Sequence, residues 1–165
     1  MDTRSIESHA LDAPSCAGTI DPRLEEEHVV FKAAVREIQS ELDRAHDSRD
    51  IEGERDALLS SLVRLRSLLL GHFSREEKGW SQIDVTACTP STRRWIERLV
   101  REHRDYLKRV GELTTALEAT SLSGITLAPE FDGELSALLA DLTEHELAEE
   151  RWMQRSMFEG MLGGD

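Results

Sequence analysis

The sequence predicts an all-α chain, an up-down-up-down antiparallel four-helix bundle, and three observations carry that expectation. Apolar residues recur at alternating steps of three and four in four separate segments, the rhythm of one buried helix face. The breaks between those segments are short, so consecutive helices must run antiparallel. Leu, Ala, Glu and Arg dominate, aromatics make up only 5%, and no strand-like alternation of useful length occurs.

Residues 1–20 are rich in Ser, Asp, Gly and Pro without periodicity and read as a flexible N-terminal leader; residues 21–160 read as the bundle. The first helix is expected to begin near Asp21-Pro22, a capping residue followed by proline, with the stripe Leu24, His28, Phe31, Val35, Ile38, Leu42. Asp47 to Gly53 is expected to break it. The second helix carries Leu58, Leu62, Leu65, Leu69, His72, Glu76 and ends around Gly79. The third follows Thr89-Pro90 with Trp95, Leu99, His103, Tyr106, Val110, Leu113, Leu117. The fourth starts at Pro129 and aligns Phe131, Leu135, Leu138, Leu142, His145, Glu149, Trp152.

With 165 residues the chain forms one domain with a core of its own. Its 33 acidic and 20 basic residues leave a formal charge of -13, which disfavours nucleic acid and anionic membrane as partners. The most apolar stretch, Leu62 to Leu70, is interrupted by Arg64 and Arg66, and the N-terminus has no apolar run of signal-peptide length. A cytoplasmic location is therefore expected. Cys16 and Cys88 are too few and too far apart for a disulfide framework or a thiolate metal site, and whether they pair is left open.

Four histidines fall on these apolar stripes, where an unpaired polar ring is costly to bury. His72 and His145 are each followed four residues later by a glutamate, Glu76 and Glu149, one turn along the same face. The halves repeat: Glu27-His28 is echoed by Glu102-His103, and His72 to Glu77 by His145 to Glu150, with histidines 44 and 42 residues apart. One such histidine is ordinarily a hydrogen-bonded core residue; four in a duplicated pattern point to a metal site. The candidate ligands are His28, His72, Glu76, His103, His145 and Glu149. Imidazole and carboxylate donors without thiolate suit iron, with manganese or zinc as alternatives, and a duplicated set with two bridging carboxylates suits two ions.

Glu27, Glu77 and Glu102 lie about 100° around the helix from their neighbouring ligands and are expected to be surface charges. Tyr106, one turn from His103, is expected to be a packed aromatic rather than a donor to the site. His9 and His46 are expected to be solvated. His145-Glu146 has the start of a zinc-protease helix, but position 149 is Glu where His is required.

These motifs resemble the hemerythrin-like (HHE cation-binding) family over about residues 21–158. Gly71-His72-Phe73-Ser74-Arg75-Glu76-Glu77 is similar to its His-Phe-x-x-Glu signature, and Glu26-Glu27-His28, Arg101-Glu102-His103 and His145-Glu146-x-x-Glu149-Glu150 match the other ligand segments in order. The resemblance implies a bundle around a non-haem di-iron centre that takes dioxygen, peroxide or nitric oxide. Two features depart from the oxygen carriers. Leu99 and Leu107 flank His103 where a second histidine of the third helix would stand. The carriers' last carboxylate would be Glu150, whereas duplication and helical phase favour Glu149. The function expected is thus binding or sensing of a small diatomic or peroxide ligand, with low oxidase or peroxidase-like turnover left open. The alternative is an iron-responsive or metal-stapled bundle acting through a protein partner of unknown kind.

Overall fold

A computed structural model describes residues 23–47, 50–81, 88–119 and 129–162. They form α1 (Arg23–Asp47), α2 (Ile51–Ser81), α3 (Pro90–Ala119) and α4 (Pro129–Leu162), and no strand occurs among the described residues. The expected leader, with His9 and Cys16, lies outside the described residues, as do the side chains of Leu24 and His46.

Helix starts follow local chemistry. The Asp50 carboxylate accepts the Gly53 amide at 3.1 Å and caps the start of α2. Gly53 thus belongs to the first turn of α2 rather than to the break. A Cβ there would sit 2.5 Å from that carboxylate, so glycine makes room for the cap. Thr89 Oγ1 accepts the Thr92 amide at 3.2 Å, and Pro90 occupies the first helical position, where a missing N–H costs nothing.

Among the described residues α1 packs on α2 and α4, and α3 on α2 and α4, while the backbones of the diagonal pairs stay apart and only side chains bridge α2 and α4. The cross-links fix direction. Glu27 meets Arg75 while Glu37 meets Arg64, so α1 and α2 run antiparallel. His145 meets Glu102 while Glu134 meets Arg109, which does the same for α3 and α4. Phe73 and Tyr106 share one level, and the open side of Gly111 faces Arg66, so α2 and α3 are antiparallel too.

One half of the barrel of side chains is aliphatic. Ile38, Leu42, Leu58, Leu62, Leu65, Val110, Leu117, Leu135 and Leu138 are sealed from solvent, each worth roughly 1.5–3 kcal/mol of burial. Towards the N-terminus of α1 and the C-terminus of α2 this packing gives way to a layer of buried histidines and glutamates. Among the described residues no helix is long and apolar enough to cross a membrane.

Candidate metal centre

His28, His72, His103 and His145 are 1–4% exposed and occupy one layer, one from each helix. Glu76 and Glu149 rise one turn from their histidines into the same space, with Nε2 to carboxylate distances of 3.2 Å and 3.1 Å. The structure brings all six sequence candidates together, in two overlapping groups. His28, His72, Glu76 and Glu149 offer donor atoms within 4.8 Å of one another, and so do His103, His145 and Glu149. The other oxygen of Glu76 faces His103 Nε2 at 3.5 Å, so this carboxylate spans the two groups.

Glu146 is the residue that sequence reasoning missed. Only 1% exposed, it aims one oxygen at His72 Nε2 (3.3 Å) and the other at His28 Nε2 (3.4 Å). Being next to His145, it stands a step of 100° around α4, which carries it from its own helix's ligand towards α1 and α2. A charged residue at an otherwise buried helical position was the available signal.

Glu27, Glu77 and Glu102 correct the expectation of plain surface charges. Each is half-buried and reaches across to the next helix's histidine. Glu27 meets His72 Nδ1 at 3.4 Å, Glu77 meets His103 Nδ1 at 3.1 Å, and Glu102 meets His145 Nδ1 at 2.9 Å. Glu150 closes the ring near His28 Nδ1 at 3.8 Å, too long for a hydrogen bond, and is held by Lys32. The helical phase that points these carboxylates away from their own histidines points them into the interhelical groove. Their repetition beside each histidine was the sign. Tyr106 packs edge-on against His145 at 5.2 Å and donates its hydroxyl to the Asp141 carbonyl, away from the donor cluster.

The electrostatics are those of a crowded, dry site. Burial pulls the His72 imidazole down, but the carboxylates of Glu146 and Glu76 beside it outweigh burial and push it up to about 11. His145 goes up to about 9 against burial, through Glu149 and Glu102. His103 falls to about 3 because burial and the neighbouring imidazoles outweigh the attraction of Glu76. Burial, with repulsion from Glu76 and Glu146, lifts Glu149 up to about 8 despite His145. Glu76 stays below the ordinary carboxylate range: burial opposes this, but His72 and His103 prevail. His103 and His145 meet Nε2 to Nε2 at 3.1 Å, which requires one proton between them.

Several of these atoms have no hydrogen-bond partner although they are sealed from water. They are His28 Nε2, His72 Nε2, Glu76 Oε2 and both carboxylate oxygens of Glu146 and Glu149. So many orphaned acceptors converging on one place are costly unless a cation answers them. With Nδ1–H donated outward to a carboxylate, the imidazole presents its Nε2 lone pair inward, the tautomer a metal needs. The donor set fits a metal ion.

The hemerythrin HHE cation-binding domain matches residues 19–157 of this chain. The chain belongs to that family. No curated protein and no solved structure matched it. Membership of a cation-binding family and a buried His/Glu cluster together make this a metal-binding helical bundle.

Proposed function

We propose that this hemerythrin-family chain is a non-haem di-iron protein that binds or senses dioxygen, peroxide or nitric oxide, with low oxidase or peroxidase-like turnover. The observation that carries this reading is the pair of overlapping donor groups sharing Glu149, with Glu76 facing both. Carboxylates shared in this way suit two cations held close together. His28, His72, Glu76, His103, His145 and Glu149 would hold them, with Glu146 as a seventh donor. Nitrogen and oxygen donors without thiolate favour iron, and manganese or zinc would fit the same atoms.

When bound, iron supplies a reversible redox change and a position at which a small ligand exchanges. The chain's own residues do the rest. The outer carboxylates orient the rings of His72, His103 and His145, and Glu102 raises the basicity of His145. Phe73, stacked on His103 at 3.8 Å, and Tyr106, edge-on to His145, wall off water beside these two rings. Glu149, whose carboxyl burial pushes up to about 8, would give up its proton on holding a metal. The formal charge of -13 supports partners other than nucleic acid or anionic lipid.

With Leu99 and Leu107 one turn either side of His103, carboxylate oxygens would stand where the oxygen carriers have an imidazole, and anionic oxygen would favour the ferric state. Anaerobic purification, metal analysis and optical spectra before and after air provide the test. About two iron ions per chain and one-way oxidation in air are expected. A colour that appears in air and vanishes under argon over many cycles would replace this reading with oxygen carriage. Protein that takes up metal without responding to air, peroxide or nitric oxide would support a metal-stapled bundle instead.

A further inference from the structure

The chain has three tryptophans, and all three stand in one series that begins on a candidate ligand. Trp80 of α2 stacks on the His103 ring at 5.4 Å and 25°. Trp95 of α3 meets Trp80 edge-on at 6.1 Å, and Trp152 of α4 stacks on Trp95 at 4.6 Å and 19°. All three are half-buried, so the series leads from the sealed His103 ring along partly exposed indoles, any of which solvent reaches. Aromatic packing alone accounts for such pairwise distances. It does not account for three helices each contributing an oxidisable indole to one continuous series that ends on an imidazole.

The geometry points to an electron path, His103–Trp80–Trp95–Trp152, that carries single electrons from a donor at the protein surface to the centre. The inference rests on the di-iron reading above. Its balance is simple. One hydrogen peroxide takes two electrons and two protons and leaves as two waters; the electrons come one at a time from a one-electron donor at Trp152, and the protons from solvent. With no donor present the indole itself is oxidised. It then takes an oxygen atom from water and releases two protons, while its two electrons pass inward to the peroxide. The acidic surface favours a neutral or cationic donor over an anionic one. Tyr106, the other oxidisable ring near the site, is a poor terminus. Its hydroxyl donates to a backbone carbonyl, which cannot accept the proton that tyrosine loses on oxidation.

Iron-loaded protein, freed of unbound iron, is exposed to hydrogen peroxide without a donor, and oxygen uptake at each tryptophan is mapped by peptide mass spectrometry. Zinc-loaded protein, which has no redox change to offer, sets the background. In the wild type, iron-dependent oxidation should reach Trp95 and Trp152. In Trp95→Phe, with unchanged iron content, Trp152 should fall to background while Trp80 is still oxidised. In Trp152→Phe oxidation should stop at Trp95, and in both variants a cationic one-electron donor should be consumed several-fold more slowly than in the wild type. Trp152 oxidised equally with and without the Trp95 indole would mean a diffusing oxidant and overturn the path. Iron-loaded protein that consumes peroxide no faster than zinc-loaded protein would overturn the small-molecule reading first, and the path with it.

Discussion

The two halves of the centre share one repeated pattern, yet they differ at the residue immediately after the inward histidine. After His145 stands Glu146, which crosses to His28 and His72 and adds two carboxylate oxygens there. After His72 stands Phe73, which lies flat on His103 at 3.8 Å and 4° and adds no donor. The half around His28 and His72 is therefore rich in anionic oxygen. The half around His103 and His145 is walled by Phe73, Tyr106 and Trp80. Repetition of the ligands does not make two equal sites; the residue beside the ligand decides how each site differs.

The bluntest way to break this comparison is to remove a histidine from either half. His28→Ala and His145→Ala should each reduce metal content from about two ions per chain to about one or fewer. His46→Ala should leave it unchanged. Metal also stabilises the native state by about 2.7 kcal/mol at a hundredfold excess over Kd. Chelation of the wild type should therefore lower Tm by about 5–10 °C, and the two histidine variants should lose most of that response. Equal metal content in all three variants would remove the site from this cluster altogether.

Exchanging the residues that distinguish the halves sharpens it. Anaerobic titration with ferrous or cobaltous ion should show two steps, the tighter belonging to the half that has Glu146. Glu146→Gln should weaken that step by at least about 10–100-fold, the scale for altering a partner behind a ligand, since Glu146 would itself be a donor. Phe73→Ala should leave the tighter step alone but cost the metal-free fold about 3–5 kcal/mol, since a fully packed ring is lost. Phe73→Glu supplies the equivalent carboxylate to the other half and should bring the two steps together. Two steps that stay equally far apart in Phe73→Glu would show that position 73 does not set the difference.

Most of the bundle could be read from spacing because each stripe depends on one helix's own period. Leu58, Leu62, Leu65 and Leu69 are all sealed in the core at the predicted phase. The six candidates converge for the same reason: each lies on its helix's buried line. What spacing could not place were the residues whose partners lie on another helix. Glu27, Glu77 and Glu102 point off the stripe, which predicts water around them, yet the groove beside the stripe holds the neighbouring histidine. Glu146 shows the same effect in deeper form, since only the packing of α4 on α1 turns its position inward. The start of α2 differs from expectation for a local reason. The Asp50 side chain and carbonyl take up the amides of Gly53 and Glu54, and this cap outweighs the helix-breaking tendency of Gly53.

The outer ring of carboxylates offers a graded comparison between the halves. Glu102 holds His145 Nδ1 at 2.9 Å, whereas Glu150 stands 3.8 Å from His28 Nδ1 and is engaged by Lys32. Removing the carboxylate charge lowers the basicity of the ligand behind it and frees its ring to turn. Glu102→Gln should therefore weaken the metal step at the His103–His145 half by about 10-fold or more. Glu150→Gln should weaken the other step less. Metal titration of the two variants side by side checks the order; a larger loss from Glu150→Gln would mean that charge at a distance outweighs the direct hydrogen bond.

The metal-free protein should also depend on pH, and the sign of that dependence differs between residues of the site. His72 and His145 are raised from 6.5 to about 11 and about 9, so their stabilising contribution is complete below 6.5 and is lost as pH climbs through the raised values. Glu149, raised from 4.5 to about 8, acts in the same direction, contributing fully below 4.5 and losing that contribution as pH rises through 8. His103 is depressed from 6.5 to about 3, so its contribution is present above 6.5 and is lost as pH falls towards 3. Between about pH 7 and pH 10 only the raised groups change, and chelated protein should lose stability steadily across that range, by about 2–4 °C in Tm for each kcal/mol. Loaded protein should not follow, because metal already holds the nitrogens and oxygens that would otherwise keep those protons. Uptake of metal at about pH 7 should accordingly release protons, and affinity should keep rising with pH through about 9, because His72 holds its proton until about 11. Thermal melts of chelated and loaded protein at matched pH, together with proton release measured in weak buffer, test both statements. Parallel pH profiles for the two forms would mean that the protons of His145 and Glu149 and the metal do not compete for the same atoms.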